Sequence, residues 1–243
     1  MIISVLNFSN GRIRDDEVRR ALRAINRQIK NDFEPHWGFG ATLRLVRKVG
    51  SKLRKQSLPG RQGEAYLYLS KTIDLKDAQG YHNINNHGTP YGLVLIDMEI
   101  DPQWTATLSH EALELVGDPL FNLLVKGPSP KDHRLQVYHW FEMCDAVQDE
   151  FYEVDKLQVS NFVLPRYFDV SKKARGPCDF LGNAHAGMTL QPFGTNPGGY
   201  INFFDPHARR NREYARPDDK RAEERKAEKR RCGVSRSTRR ACA

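Results

Sequence analysis

Short apolar runs separated by polar turns predict four strands in the first hundred residues. Residues 2–7, 41–46, 65–73 and 91–96 are each rich in aliphatic or aromatic side chains over the length of a strand. The Asn- and His-rich residues 81–87, just before the last of these runs, are typical of a polar turn. The pattern therefore predicts a sheet in this part of the chain.

Two helices are predicted between and after these strands. In residues 15–33, four aliphatic side chains recur at helical spacing behind an acidic first turn: Val18, Leu22, Ile25 and Ile29. A second helix is expected to begin at Asp101 and Pro102, which suit the N-cap and N1 positions, and to end at Gly117. Helices combined with strands in this order indicate an α+β fold.

The net positive charge is concentrated at the end of the chain. The 243 residues include 38 Lys/Arg and 30 Asp/Glu, and residues 208–243 alone hold 14 basic and 6 acidic side chains. This tail lacks Leu, Ile, Phe, Met and Trp, so it cannot bury enough apolar surface to offset the entropy of ordering. We therefore expect one α+β domain over residues 1–207 and a basic tail over 208–243 that is disordered or a solvated helix.

The composition disfavours several classes of protein. No apolar stretch approaches the roughly 20 residues that span a bilayer. The short apolar run at the start has no basic segment ahead of it, as a signal peptide would have. The four cysteines include no CxxC pair, so a disulfide framework is not expected. These features predict a protein of the reducing cytoplasm with no membrane partner.

The second predicted helix carries the motif His110-Glu111-x-x-Glu114. His110 and Glu114 are four residues apart and project from one helix face, which is the geometry that two ligands of one metal ion need. Glu111 stands where the HExxH arrangement has the general base that takes a proton from metal-bound water. Glutamate in the fifth position keeps a Zn²⁺ ligand but adds negative charge, which also admits Mn²⁺ or Fe²⁺.

The remaining circumference of this helix is mostly apolar. The three ionisable side chains and Thr107 share a narrow arc, whereas Trp, Leu, Val and Ala cover most of the rest. A helix buried on most sides is a costly place for ionisable groups unless they are paired or bind a metal. A metal site is the leading interpretation, and a paired structural cluster or a solvated polar stripe are the alternatives.

A third metal ligand must come from another segment. Glu142 is the favoured candidate because it lies between aromatic and sulfur-containing side chains, which indicates burial; a core carboxylate paired with Arg or backbone donors is the alternative. Asp145 could orient a ligand, and Asp118 and Cys144 are competing ligands. Three more residues are candidate donors to a transition state or else packing residues: His139, Tyr152 and His185.

This set of motifs resembles a known family. The segments SHEALELVGDP, FEMCDAVQDEFYEV, VSNFVLPRYFD and PFGTNPGGY resemble zincin-like proteins of bacteria and phages that carry an HExxE helix, over roughly residues 80–205. The layout is similar to that of gluzincin metallopeptidases. On that resemblance, His110, Glu114 and Glu142 correspond to the metal ligands and Glu111 to the catalytic base.

The resemblance implies a zincin-like mixed sheet and a zinc-dependent, peptidase-like hydrolase that acts on peptides or proteins. In such domains an edge strand above the cleft holds an extended peptide by strand addition, and residues 91–97 are expected to supply that edge. The alternative hypothesis is a non-catalytic structural or packaging-type protein that binds nucleic acid through residues 208–243.

The tail hypothesis predicts that nucleic-acid binding depends on residues 208–243. Removing them should abolish a gel shift that the full chain gives with duplex DNA at low salt, because Lys and Arg supply the phosphate contacts. The shift given by the full chain should weaken steeply between about 50 and 200 mM salt. Equal DNA binding by the shortened and the full chain would contradict the hypothesis.

Overall fold

The described part of the chain is a mixed α+β structure, as the sequence predicts. A computed structural model describes residues 1–46, 64–72, 80–99, 101–171, 175–217 and 219–220, so most of the predicted tail lies outside it. In chain order, its helices and strands are β1 (Ile2–Phe8), α1 (Asp15–Gln28), α2 (Glu34–Trp37), β2 (Thr42–Leu45), β3 (Glu64–Ser70), β4 (Gly80–Ile84), β5 (Pro90–Leu95), α3 (Trp104–Gly117), β6 (Leu124–Pro128), β7 (Gln136–Trp140), β8 (Phe151–Val154), β9 (Leu157–Ser160), β10 (Ala184–His185), β11 (Met188–Thr189), β12 (Ile201–Asp205) and β13 (Arg210–Tyr214).

Backbone contacts group the described residues into two compact units. The first unit takes its residues from Met1–Asp74, Ala78–Phe121 and Phe151–Ser160, and the second from Asn122–Glu150 and Asn161–Ala243. Residues 1–207, expected as one domain, are thus distributed over both units.

A five-stranded mixed sheet forms the base of the first unit. Its strands are ordered β2-β1-β3-β5-β4. All neighbouring strands run parallel except β4, which is antiparallel to β5. The four strands predicted from apolar runs are confirmed as β1, β2, β3 and β5.

Two expectations about this sheet are wrong. In the segment 81–87, predicted as a turn, residues 81–84 belong to β4, in which Tyr81 pairs with Leu93 and His82 with Gly92, and only the remaining residues form the turn. The apolar segment at 91–97, predicted to supply the edge, forms β5 and lies between β3 and β4, so β4 is the edge among the described strands. Although its sequence is polar, β4 buries Gly80, Tyr81 and His82 and leaves Asn83 and Ile84 half-buried.

The first helix buries the apolar stripe that its spacing predicts. Val18, Leu22 and Ile25 of α1 are buried, and the chain continues through a π-helical turn, Ile29–Phe33, into the short α2. The Arg14 N–H donates a hydrogen bond to the Glu17 carboxylate at 2.8 Å, which is half of a capping box at the start of α1.

Helix α3 is buried on nearly all sides. Every one of its residues except Thr107 is buried, and it packs against β4, β5 and β9. The helix begins at Trp104 and not at Pro102, because residues 101–103 form a turn that Asp101 stabilises. Asp101 accepts hydrogen bonds from the Gln103 N–H at 3.0 Å and from the Thr107 hydroxyl at 2.7 Å. The predicted end at Gly117 is confirmed.

A closed ring of buried hydrogen bonds ties α3 to α1 and β9. The Ser109 hydroxyl donates to Gln28 Oε1 at 2.7 Å, and Gln28 Nε2 donates to the Ser160 carbonyl at 2.8 Å. The Ser160 N–H donates to the Ser109 hydroxyl at 3.1 Å, which closes the ring. All three residues are at most 2% exposed, so these buried polar groups satisfy one another's hydrogen bonds.

The second unit contains a four-stranded antiparallel sheet ordered β13-β12-β7-β6. Strand β13 corrects the predicted boundary at residue 208, because Arg210–Tyr214 pair with Ile201–Asp205 although they were expected in a disordered or helical tail. The pairing supplies backbone hydrogen bonds that a charged segment can use without burying much apolar surface. A truncation that spares this sheet therefore begins at residue 221. No helix in the described part of the chain combines the length and apolar character needed to cross a bilayer.

The hydrogen-bonded ring predicts a large effect of a small substitution. Ser109→Ala should lower the free energy of unfolding by about 2 kcal/mol, because it leaves Gln28 Oε1 and the Ser160 N–H buried without their partner. Urea denaturation measures the loss. The matched control is Ser171→Ala at an exposed serine, which should change stability by less than about 0.5 kcal/mol. Equal effects of the two substitutions would show that the ring does not hold α3.

Candidate metal centre

The ionisable face of α3 lies against the edge strand β4. His110, Glu111 and Glu114 project from this face as their spacing predicts, and His82 of β4 approaches the same group. The side chains of His82, Glu111 and Glu114 are at most 2% exposed, and that of His110 is 10% exposed. The interpretation of the motif as a solvated polar stripe is therefore wrong.

Each carboxylate oxygen of Glu114 faces a different imidazole. His110 Nε2 lies 3.1 Å from Glu114 Oε1, and His82 Nδ1 lies 3.2 Å from Glu114 Oε2. His82 Nδ1 also lies 3.4 Å from Glu111 Oε2. Glu114 is thus the central residue of the group, with one histidine from its own helix and one from the sheet.

Glycine at position 80 allows this close approach of strand and helix. A Cβ atom on Gly80 would lie 2.6 Å from Glu111 Oε1, which is closer than non-bonded atoms come. Gly80 and His82 are two positions apart on β4 and therefore face the same side of the sheet. Strand β4 thus leaves room for the Glu111 side chain at Gly80 and brings Nδ1 of His82 close to the same side chain.

The contacts within the group shift the pKa values of His82 and Glu114 in opposite directions. Burial opposes the charged ring of His82, but the carboxylates of Glu111 and Glu114 outweigh burial and raise its pKa above the ordinary value. Burial likewise opposes the charged form of Glu114, yet His110 and His82 hold its pKa well below the usual range. The lowered pKa of Glu114 therefore favours its carboxylate form although the side chain is completely buried.

The arrangement of donor atoms fits a small divalent cation. One nitrogen of His82 and one oxygen each of Glu111 and Glu114 lie within 4.8 Å of one another. Ligand atoms at about 2.0–2.2 Å from a tetrahedral ion are roughly 3.3–3.6 Å apart, close to the separations seen here. The first unit therefore contains His and Glu groups that could hold a metal ion.

The other predicted ligands are buried, and most lie in the second unit. Asp118 follows α3 in the first unit, where its N–H donates to the Glu114 carbonyl at 2.8 Å. Glu142, Cys144 and Asp145 belong to the second unit, and Asp145 begins the 3₁₀ helix Asp145–Val147. Glu142 and Asp145 line one small cavity of that unit. Their roles as third ligand and orienting residue stay predictions.

The three candidate transition-state donors have polar partners outside the cluster. The Tyr152 hydroxyl donates to Asp32 at 2.7 Å in the first unit. In the second unit, His185 Nε2 is hydrogen-bonded to Glu150, and His139 Nε2 donates to the Pro128 carbonyl at 2.9 Å. These contacts agree with the interpretation of the three as packing residues.

His82 is the residue that sequence reasoning missed. It stands in a polar segment, and nothing in its spacing from the HExxE motif relates the two. The usable signal was the alternation in Gly80-Tyr81-His82, in which small and polar residues share one face and the aromatic residue the other. Recognising it required the knowledge that β4 lies beside α3.

Comparison with known proteins adds no relative. No protein-family model matches the chain, and no curated protein or solved structure matches it either.

His139 gives the stability of the protein a testable pH dependence. Burial lowers its pKa from 6.5 to about 4, against a smaller opposite effect of the Pro128 carbonyl. The buried neutral ring therefore stabilises the fold fully above about pH 6.5, and this contribution is lost as the pH falls towards 4. His139→Gln keeps an N–H donor without the titration, so at pH 5 it should lose about 2 kcal/mol less stability than the wild type, relative to pH 7.5.

Urea denaturation at the two pH values measures this difference. His133→Gln, at an exposed histidine, is the matched control and should follow the wild type. A His139→Gln variant with the same loss of stability between pH 7.5 and 5 as the wild type would contradict the assignment.

Proposed function

We propose that this chain is a zinc-dependent, peptidase-like hydrolase of the zincin type. His110 and Glu114 of α3 hold the metal ion. Glu111 is the general base, and peptides or proteins are the substrates. The observation that carries the proposal is the 3.1 Å separation of His110 Nε2 and Glu114 Oε1 in a buried cluster that also contains Glu111.

The His and Glu side chains around Glu114 suit a metal ion on chemical grounds. Glu114 is completely buried, and its two oxygens face imidazole nitrogens. Removing a carboxylate from water costs several kcal/mol unless a cation compensates it. Imidazole and carboxylate are ligands that Zn²⁺ accepts, and the extra negative charge also suits Mn²⁺ or Fe²⁺.

When bound, the ion would polarise a substrate carbonyl and acidify a water molecule. The side chains of α3 divide the remaining work. His110 and Glu114 keep their donor atoms in place because α3 is packed on nearly all sides. Glu111 accepts the proton of the attacking water and passes it to the leaving amine, which is the role of a general base that later acts as an acid. The mixed sheet with an antiparallel edge strand agrees with this type of domain.

Metal content and turnover test the proposal separately. Purified wild-type protein should contain about one equivalent of metal by mass spectrometry, and His110→Ala should lose most of it. Glu111→Gln should keep the metal and lose a factor of 10²–10⁴ in hydrolysis of a mixed fluorogenic peptide pool, because it removes the proton acceptor. His133→Ala, at an exposed histidine, is the control for both measurements.

The proposal fails if wild-type protein prepared without chelators takes up no Zn²⁺. A protein that binds Zn²⁺ but hydrolyses no peptide would contradict the enzymatic part and leave a metal-binding protein. Chelation should also lower the melting temperature of the wild type, since an ion bound only by the folded state stabilises it.

The nucleic-acid hypothesis stays the second candidate. Residues 221–243 contain nine Lys/Arg against three Glu, so the charge that motivates it is retained beyond β13. The truncation at residue 221 therefore replaces the one at residue 208 as its test, because it leaves the second sheet intact.

A further inference from the structure

Strand β4 faces the functional side of α3 with two residues that have no role in the proposed ligand set. Gly80 makes room for Glu111, and His82 brings Nδ1 to both glutamates of the motif. The two positions share a face of the strand, so one local structure serves both purposes.

The contacts of His82 are with the second oxygens of both glutamates. Its Nδ1 approaches Oε2 of Glu114, whereas the other oxygen of Glu114 faces His110. The same Nδ1 approaches Oε2 of Glu111. A donor at this point can orient each carboxylate, and it leaves Oε1 of Glu114 facing His110.

The electrostatics of the pair explain why such a donor is needed. Glu111 and Glu114 are three residues apart on one helix face, where like charges repel. Both side chains are at most 2% exposed, so water does not screen that repulsion. An N–H placed between the two carboxylates offsets the repulsion and fixes their rotamers together.

We propose that His82 is a positioning residue of the metal centre, whose Nδ1–H is shared between Oε2 of Glu111 and Oε2 of Glu114. It orients the base and a metal ligand at once. As a role within the centre, the inference rests on the proposed function. Hydrogen bonds to ligands typically change metal affinity or activity by 10–100-fold when removed.

Two amide variants separate this contact from simple packing. His82→Asn places an amide nitrogen near the position of Nδ1, whereas His82→Gln places it near that of Nε2. Both lose the ring contact with Phe121, whose centroid is 4.8 Å from that of His82, so both lose some thermal stability. Only the glutamine variant should lose the contact with the glutamates.

We expect His82→Gln to weaken Zn²⁺ affinity and to lower kcat by 10–100-fold, whereas His82→Asn stays within about 3-fold of the wild type. Affinity is measured by competition with a chromophoric chelator. The control is His87→Asn at an exposed histidine in the loop after β4, which should behave as the wild type. Equal losses in the two His82 variants, or no loss in either, overturn the proposal.

A spectroscopic measurement keeps the inference testable whether or not the protein binds zinc. Imidazole ¹⁵N shifts of His82 in the chelator-treated protein, assigned by their absence in His82→Asn, report which ring nitrogen carries a proton. A protonated Nδ1 supports the shared hydrogen bond, and a neutral ring protonated only at Nε2 overturns it.

If Nδ1 loses its proton when Zn²⁺ is added, His82 is itself a ligand and the positioning role is wrong. If the protein takes up no Zn²⁺, the proposed function is wrong. The ¹⁵N measurement still shows whether His82 Nδ1 is hydrogen-bonded to Glu111 and Glu114.

Discussion

The burial of three ionisable side chains on one face of α3 is the constraint on which the rest of the structure depends. His110, Glu111 and Glu114 have lost nearly all contact with solvent. Each would be hydrated in an unfolded chain, so the fold must supply partners that repay the loss. It does so by setting one imidazole against each oxygen of Glu114. A rotation of α3 about its axis would move Glu111 and Glu114 away from His82 of β4, so the charge balance of the group depends on the orientation of the helix.

The packing of the first unit holds that orientation from the opposite side. Ser109 immediately precedes His110, and its hydroxyl is fixed by Gln28 and Ser160 within a ring of buried hydrogen bonds. On the side of the sheet, Gly80 accepts the Glu111 side chain where any larger residue would collide with it. Directional hydrogen bonds specify a rotation better than apolar packing, because apolar contacts tolerate small shifts. The polar core of this unit thus has a geometric role in addition to its energetic one.

The sequence predicts the features that depend on local interactions, and it misses those that depend on contacts between segments far apart in the chain. The α3 motif was predictable because side chains four positions apart on a helix lie on one face, whatever the surroundings. The strands β1, β3 and β5 were predictable from their apolar runs. His82 and β13 were not, because a polar segment becomes a strand only when a neighbouring strand accepts its hydrogen bonds, and that neighbour is fixed by the fold. The position of β5 inside the sheet was missed for the same reason, since its outer neighbour was taken for a turn.

The glutamate in the fifth position of the motif is better understood together with β4 than by itself. Relative to an HExxH helix, Glu114 replaces an imidazole with a carboxylate and adds one negative charge beside Glu111. His82 places an imidazole against that carboxylate, on the oxygen that His110 does not face. The cluster therefore contains two imidazoles, as an HExxH pair does, although one of them comes from the sheet. The negative charge added by Glu114 and the imidazole added by His82 compensate each other within one buried group. A substitution of either residue therefore also changes the electrostatic environment of the other.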